Sequence, residues 1–225
     1  SLSFSLSLPP NADAISTLKR AARRAWAVPA SQTLAAILVL EKAKLIRGEE
    51  GENDSWLEAL AGGRDGRRWR LMFTSGTDQV RKALSGEDDK AGGVYIPITA
   101  VQRWRLEGGK VIENGIYLGF LGALVFRGAW ESKGRRLSFD FDYVRIRVGP
   151  WSKEFALKGS SSTKKAGDGN ENENNDNKKN KKPPPGPFFL FAYADDDICV
   201  ARGRGGGVAM WARASGDWQV KAGID

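Results

Sequence analysis

Three consecutive carboxylates, Asp195, Asp196 and Asp197, and a glycine knot running Arg202-Gly203-Arg204-Gly205-Gly206-Gly207 are the stretches whose residue types could do chemistry. Carboxylates are hard oxygen donors for a divalent cation. Consecutive ones in a tight turn point in different directions and lack the alternate spacing of a calcium loop. The expectation is therefore a solvated turn, with one Asp paired to Arg202. The glycine knot could cradle a phosphate or lipid headgroup with backbone N–H groups and Arg204. It precedes a strand pattern rather than a helix, so it lacks the dipole of a nucleotide-binding loop, and a hairpin turn is the simpler reading.

No histidine occurs, and Cys199 is the one cysteine. Ser-His-Asp and Cys-His nucleophile systems are therefore excluded, as are zinc sites of the ordinary ligand set and any intramolecular disulfide. A chain without disulfides suits a reducing compartment. Cys199 lies between Ile198 and Val200 in a strand pattern, where a thiol acts as a small apolar side chain. Glu131, Asp140 and Asp142 are carboxylates with no indicated acid–base partner, and the two Asp alternate with Phe139 and Phe141, which puts them on the polar face. No catalytic residue and no metal ligand are assigned, and the chain is expected to be non-enzymatic.

The elements that must position these residues follow from periodicity. Residues 11–27 read as an amphipathic helix with Ile15, Leu18, Ala22 and Trp26 on one face and Lys19, Arg20, Arg23 and Arg24 mostly on the other. A second helix runs from an N-cap at Ser31 to about Arg47, with Gly48 as its stop. Trp56, Leu57 and Leu60 form a short apolar knot, one or two helical turns long. From Arg67 the period changes to two, with Trp69, Leu71 and Phe73 on one parity. A short helix over 77–84 precedes strands at 93–98, 100–107, 110–118, 123–131 and 135–148, with Gly108-Gly109 and Lys133-Gly134 as hairpin turns. In the last of these strands the apolar parity passes from Leu137, Phe139, Phe141 and Tyr143 to Val144, Ile146 and Val148, which requires a bulge or bend at Tyr143-Val144. From Phe188 to Arg213, apolar runs separated by the acidic turn and the glycine knot read as three further strands.

Residues 159–187 are low-complexity, rich in Gly, Ser, Asn and Lys and ending in Pro183-Pro184-Pro185-Gly186-Pro187; they are expected to form a disordered insert between two strands. The opening residues 1–10 are Ser-rich and acid-free, which fits a transit-peptide remnant, while their alternation also suits an edge strand. The domain reading is a tail at 1–10, a helical segment at 11–65, and one β-barrel over 66–158 and 188–225 interrupted by the insert. The fold class is mainly β within α+β: a lipocalin-like antiparallel barrel with N-terminal helices.

Forty-one per cent of the residues are hydrophobic, and eight Trp and ten Phe make aromatics the main filling of any core. No apolar run approaches the roughly 18 residues of a membrane-spanning helix. The formal net charge of +8 is compatible with nucleic acid, an anionic membrane surface or acidic partners. No RNA-recognition signature accompanies the basic helix, so a nucleic-acid partner is not expected.

Two motifs carry a resemblance. Gly66-Arg67-Arg68-Trp69-Arg70-Leu71-Met72-Phe73-Thr74-Ser75 is similar to the G-x-W-x-L-x-Y/F-T-S/T strand of the plastid-lipid-associated proteins, or fibrillins. Tyr193, Asp195, Asp196, Asp197, Arg202, Gly203, Gly205 and Gly206 stand as in that family's end-motif, Y-L-D-D/E-D/E-L/I-R-I-x-R-G-x-x-G. The likeness covers about 66–213. The extra Arg67-Arg68, Cys199 in place of an Arg, and the 159–187 insert mark the chain as resembling a divergent thylakoid or stromal branch.

The resemblance implies a lipocalin-like barrel in the chloroplast, peripheral to thylakoid or plastoglobule membranes, that binds or organises a lipid, prenylquinone or carotenoid. Inward parity is expected for Trp69, Leu71, Phe73, Phe139, Phe141, Phe189, Phe191 and Trp211, which would line the cavity. The alternative is a structural or assembly subunit of a photosystem or light-harvesting complex whose barrel holds no ligand.

Overall fold

A computed structural model describes residues 10–46, 55–157 and 186–224. The predicted tail 1–10 lies outside them except for Pro10, and the insert 159–187 except for Gly186 and Pro187. The helical stop foreseen at Gly48 is likewise outside the described residues.

Helices α1 (Pro10–Arg23), α2 (Ala30–Ala43) and α3 (Ser55–Ala61) come first, followed by β1 (Arg67–Ser75) and α4 (Thr77–Ser85). Strands β2 (Val94–Tyr95), β3 (Thr99–Arg105), β4 (Val111–Tyr117), β5 (Gly122–Lys133), β6 (Arg136–Val148), β7 (Trp151–Ala156), β8 (Phe188–Ala194), β9 (Ile198–Gly203) and β10 (Val208–Arg213) follow. Helix α5 (Gly216–Lys221) closes the order. Eight antiparallel strands form a closed ring, β1-β3-β4-β5-β6-β8-β9-β10, shut by pairing of β10 with β1 from Trp69↔Arg213 to Ser75↔Val208. Closure removes the open sheet edge that would otherwise template aggregation. Strand β2 adds to β1, and β7 adds to β6 outside the ring.

The turn residues account for the hairpins. Gly108 and Gly109 join β3 to β4 and Gly134 joins β5 to β6, all with positive φ. The bend in β6 is real: Arg127 pairs with Tyr143 and Gly128 with Phe141, leaving Asp142 as the extra residue of a bulge. That places the switch of apolar parity one residue before Tyr143-Val144. Gly128 is required there, because a Cβ on it would come 1.7 Å from the backbone oxygen of Asp140.

Both ends of the insert meet the same strand. The Leu157 N–H donates to the Asp142 carbonyl at 2.7 Å, and the Phe139 N–H donates to the Pro187 carbonyl at 3.1 Å. Strands β7 and β8 thus occupy one edge of β6 in succession, and the insert leaves and returns within three residues of that edge, about 10 Å at strand spacing.

Two cores result. Outside the ring, Leu18, Ala21, Leu34, Ile37 and Leu40 of α1 and α2 pack on Met72, Phe73, Ile198, Val200, Val208 and Met210. Inside it, Trp69, Trp104, Ile112, Trp130, Leu137, Phe191 and Trp211 pack with Leu57, Leu60 and Ala61 of α3. Helix α3 stoppers one end of the barrel: the Trp69 indole donates to the Leu60 carbonyl at 2.8 Å, and the Leu106 N–H to the Ala61 carbonyl at 3.1 Å. No helix among the described residues is long and apolar enough to cross a membrane.

Candidate functional site

Seven of the eight residues expected to face inward do so. Trp69, Phe191 and Trp211 are fully enclosed, while Leu71, Phe139, Phe141 and Phe189 are half-buried around them. Phe73 is the exception. A register shift between Leu71 and Phe73 turns it outward under the helices, where its ring meets Tyr95 edge-on at 5.3 Å. An alternation count cannot see a bulge, so the parity read from Trp69 fails two residues past Leu71.

The stoppered half of the barrel is filled by rings. Trp104, wholly buried, lies edge-on to Trp130 at 5.7 Å, Phe191 at 6.0 Å, Phe139 at 6.1 Å and Phe189 at 6.4 Å. Phe139 stacks on Phe189 at 5.3 Å, and Phe189 meets Trp211 edge-on at 5.4 Å. These separations are those of aromatic pairs in direct contact. Trp104 and Trp130, the centre of this packing, carry no motif and sequence reasoning did not single them out.

The other half opens onto an apolar wall. Direct cross-strand neighbours run in one row from the interior outward: Trp69, Gln102, Asn114, Phe126, Val144 and Phe155. Directly opposed residues share a sheet face, so the inner face continues without a break beyond the barrel. Alongside that row, Ile116, Leu124 and Ile146 form a second, and Val148 pairs with Trp151 at the far end. Phe126 contacts Phe141 at 5.7 Å, which joins wall to mouth. Ile116, Ile146, Val148, Trp151 and Phe155 are exposed. Gln102 and Asn114 supply amide donors and acceptors to an otherwise apolar row.

Strand β7, which carries Trp151 and Phe155, was not foreseen. Its sequence, Trp-Ser-Lys-Glu-Phe-Ala, shows neither clean alternation nor an apolar run, and every residue of it is exposed. The register with β6, not local pattern, makes it a strand.

The acidic turn is a structural clamp. Asp195 accepts backbone N–H bonds from Asp197 at 2.8 Å and Ile198 at 2.9 Å and a hydroxyl bond from Tyr193 at 2.8 Å. The Lys19 ammonium of α1 bridges Asp195 at 2.7 Å and Asp197 at 2.8 Å, and Arg67 pairs with Asp196. Burial works to raise the Asp195 carboxyl, but Lys19, the two N–H groups and the Tyr193 hydroxyl outweigh it and hold the pKa below its usual value. The Tyr193 phenol is pushed up to about 12 by burial and by its bond to Asp195. Arg202, expected to pair with one of these Asp, instead grips Glu41 of α2 and donates to the Gly206 carbonyl. The glycine knot is the β9–β10 turn, closed by the Gly203 N–H donating to the Gly207 carbonyl at 2.8 Å, with Gly206 at φ 90°.

Cys199 is buried, and its thiol pKa is driven well up by desolvation. Asp140 caps its own neighbour, accepting the Phe141 N–H at 2.9 Å. Among the described residues no group of three or more His, Cys, Asp or Glu could hold a metal ion. Compared with protein-family models, curated proteins and solved structures, the chain matches none.

Proposed function

We propose that this protein is a non-enzymatic carrier or organiser of a hydrophobic small molecule of the lipid, prenylquinone or carotenoid class, received at the open mouth of the barrel. One observation carries this reading: the inner face of the barrel runs out past the mouth as a solvent-facing apolar wall, from Phe126 through Val144 to Phe155. A face of that extent, left in water, signals a binding surface rather than surplus core. The stoppered half is packed with rings, so the molecule sits at the mouth, against Leu71, Phe126 and Phe141, with the Phe139–Phe189 stack, the outer edge of that packing, as its floor. The Gln102 and Asn114 amides are the groups in that row able to orient a carbonyl or hydroxyl. The resemblance to plastid-lipid-associated proteins adds the chloroplast setting to the proposal.

The test is organic extraction of the purified full chain, followed by absorbance and mass spectrometry. A stoichiometric lipid or pigment is expected, and its loss from the Phe139→Ser, Phe141→Ser double variant places it at the mouth. A dry extract after exposure to lipid extract overturns the reading. It would favour the second one, a subunit of a photosynthetic membrane complex with a filled barrel, which the close-packed rings around Trp104 support.

A further inference from the structure

Beyond the mouth, two turns stand side by side at the outer end of the wall. The β4–β5 turn carries Leu118, Phe120 and Leu121; the β6–β7 turn is flanked by Val148 and Trp151. Phe120 is 83% exposed and Trp151 81%, and the other three are also well exposed. Their backbones are tied: the Gly149 N–H donates to the Leu121 carbonyl at 3.1 Å, and the Leu118 N–H to the Gly122 carbonyl at 2.8 Å. The Arg147 guanidinium adds a staple, donating to the Gly119 carbonyl at 3.2 Å and to the Gly223 carbonyl past α5 at 3.1 Å. Five large apolar side chains are thus presented in water from a fixed frame rather than from a frayed end.

The charge around them is predominantly positive. Residues 116–127 and 143–156, which build this end of the wall, contain Arg127, Arg145, Arg147 and Lys153 against one carboxylate, Glu154, which lies directly across the strands from Arg145. Lys153 pairs across the strands with Ile146, on the apolar face itself. A second copy of the chain would bring the same excess of positive charge to the contact, and an apolar partner would have to bury the Lys153 ammonium that stands on this face. A surface with apolar depth beneath a layer of negative charge satisfies both features. Phe and Trp at the tip suit the boundary between headgroups and acyl chains, and the basic residues suit anionic headgroups.

We propose that the paired turns at Phe120 and Trp151 dock the protein on an anionic lipid bilayer, with the apolar wall lying against the membrane. Phe120, Leu121 and Trp151 enter the headgroup–acyl boundary, while Lys153, on the same face as Ile146, remains at headgroup level. This orientation gives the barrel mouth a dry route from the bilayer along Ile146, Val144 and Phe126. Docking does not depend on the mouth holding a ligand.

The experiment is co-sedimentation of the full chain with vesicles of phosphatidylcholine alone and of phosphatidylcholine mixed with phosphatidylglycerol, with tryptophan emission recorded in parallel. Binding to the mixed vesicles with a blue shift is expected, weakening as salt screens the charge. Phe120→Ser with Trp151→Ser should weaken partition at least tenfold without altering circular dichroism or thermal unfolding, because both side chains lie outside the core. Lys153→Glu should weaken binding to the mixed vesicles by roughly fivefold or more, the worth of one basic residue at an anionic surface, and leave weak binding to phosphatidylcholine unchanged. The proposal is overturned if wild type stays in the supernatant, or if the double variant partitions like wild type. It is equally overturned if wild type is a dimer that the double variant converts to monomer, since the turns then cover each other. Extraction of a mouth-bound molecule is a separate readout, so the two proposals fail independently.

Discussion

Glu41 of α2 and Arg202 of β9 are joined by two parallel hydrogen bonds, Nε to Oε1 at 2.8 Å and Nη2 to Oε2 at 2.6 Å. The pair anchors the outer helical layer to the barrel where the glycine turn begins, and Arg202 also holds the Gly206 carbonyl. A planar guanidinium makes this fork and an ammonium cannot. Arg202→Lys is therefore expected to cost about 1–3 kcal/mol. Thermal unfolding should register this as a fall of about 2–4 °C per kcal/mol. An unchanged transition would show that the fork adds nothing to the docking of α2.

The clamp at Asp195 makes stability depend on pH at both extremes. The Asp195 carboxyl titrates below its unfolded value of 3.8, so its contribution is complete above that value and is lost as pH falls through the folded-state pKa. Tyr193 is shifted the other way, from 10.0 to about 12, so its contribution is complete below pH 10 and is lost as pH rises towards 12. Lys19, raised chiefly by its bonds to Asp195 and Asp197, follows the same sign at still higher pH. In a melting-temperature series, Asp195→Asn should lie below wild type at neutral pH, with the gap closing in acid. Tyr193→Phe should lose less stability than wild type between pH 10 and 12. Parallel curves for all three proteins would rule the clamp out.

The location of a mouth ligand separates residues that the sequence alone treats alike. Trp69, Leu71 and Phe73 alternate in one strand, yet the bulge before Phe73 sends its ring to the helical layer. Phe73→Ser should destabilise the fold by about 3–5 kcal/mol, as large-to-small core changes do, without altering the lipid recovered per folded molecule. Phe139→Ser with Phe141→Ser should lower that recovery. Equal loading in both variants would remove the ligand from the mouth.

How far the sequence was legible follows from the same distinction. Hairpin glycines, period-two runs and the parity change near Tyr143 are local signals, and they yield the antiparallel barrel and the bend in β6. The acidic turn and the glycine knot also read locally, as turns. Partners across the fold do not: Arg202 finds Glu41, 161 residues away in sequence, rather than the nearby Asp cluster. Strand β7 escapes a pattern search because its residues are not sorted into buried and exposed. The alternation of Val144, Ile146 and Val148 was legible, but alternation marks an apolar face without saying whether anything covers it, so the exposure of this surface was not.

Gly128 gives the sharpest test of how the wall joins the barrel. It faces the β6 bulge, and a Cβ there would lie 1.7 Å from the Asp140 oxygen and 2.7 Å from the Phe141 Cα. Both obstacles are backbone, which cannot swing aside as a side chain does. Relief requires β5 and β6 to part where the ring of strands gives way to the projecting wall. Gly128→Ala should therefore cost upwards of about 2 kcal/mol, in the range of an overpacked core. Gly205 provides the contrast, since a Cβ on it would meet nothing within 4 Å. Gly205→Ala should unfold at the wild-type urea midpoint, and Gly128→Ala well below it. Matching midpoints for the two variants would mean that the strands do not approach at Gly128 as closely as the bulge demands, and the continuity of barrel and wall would then need a different register.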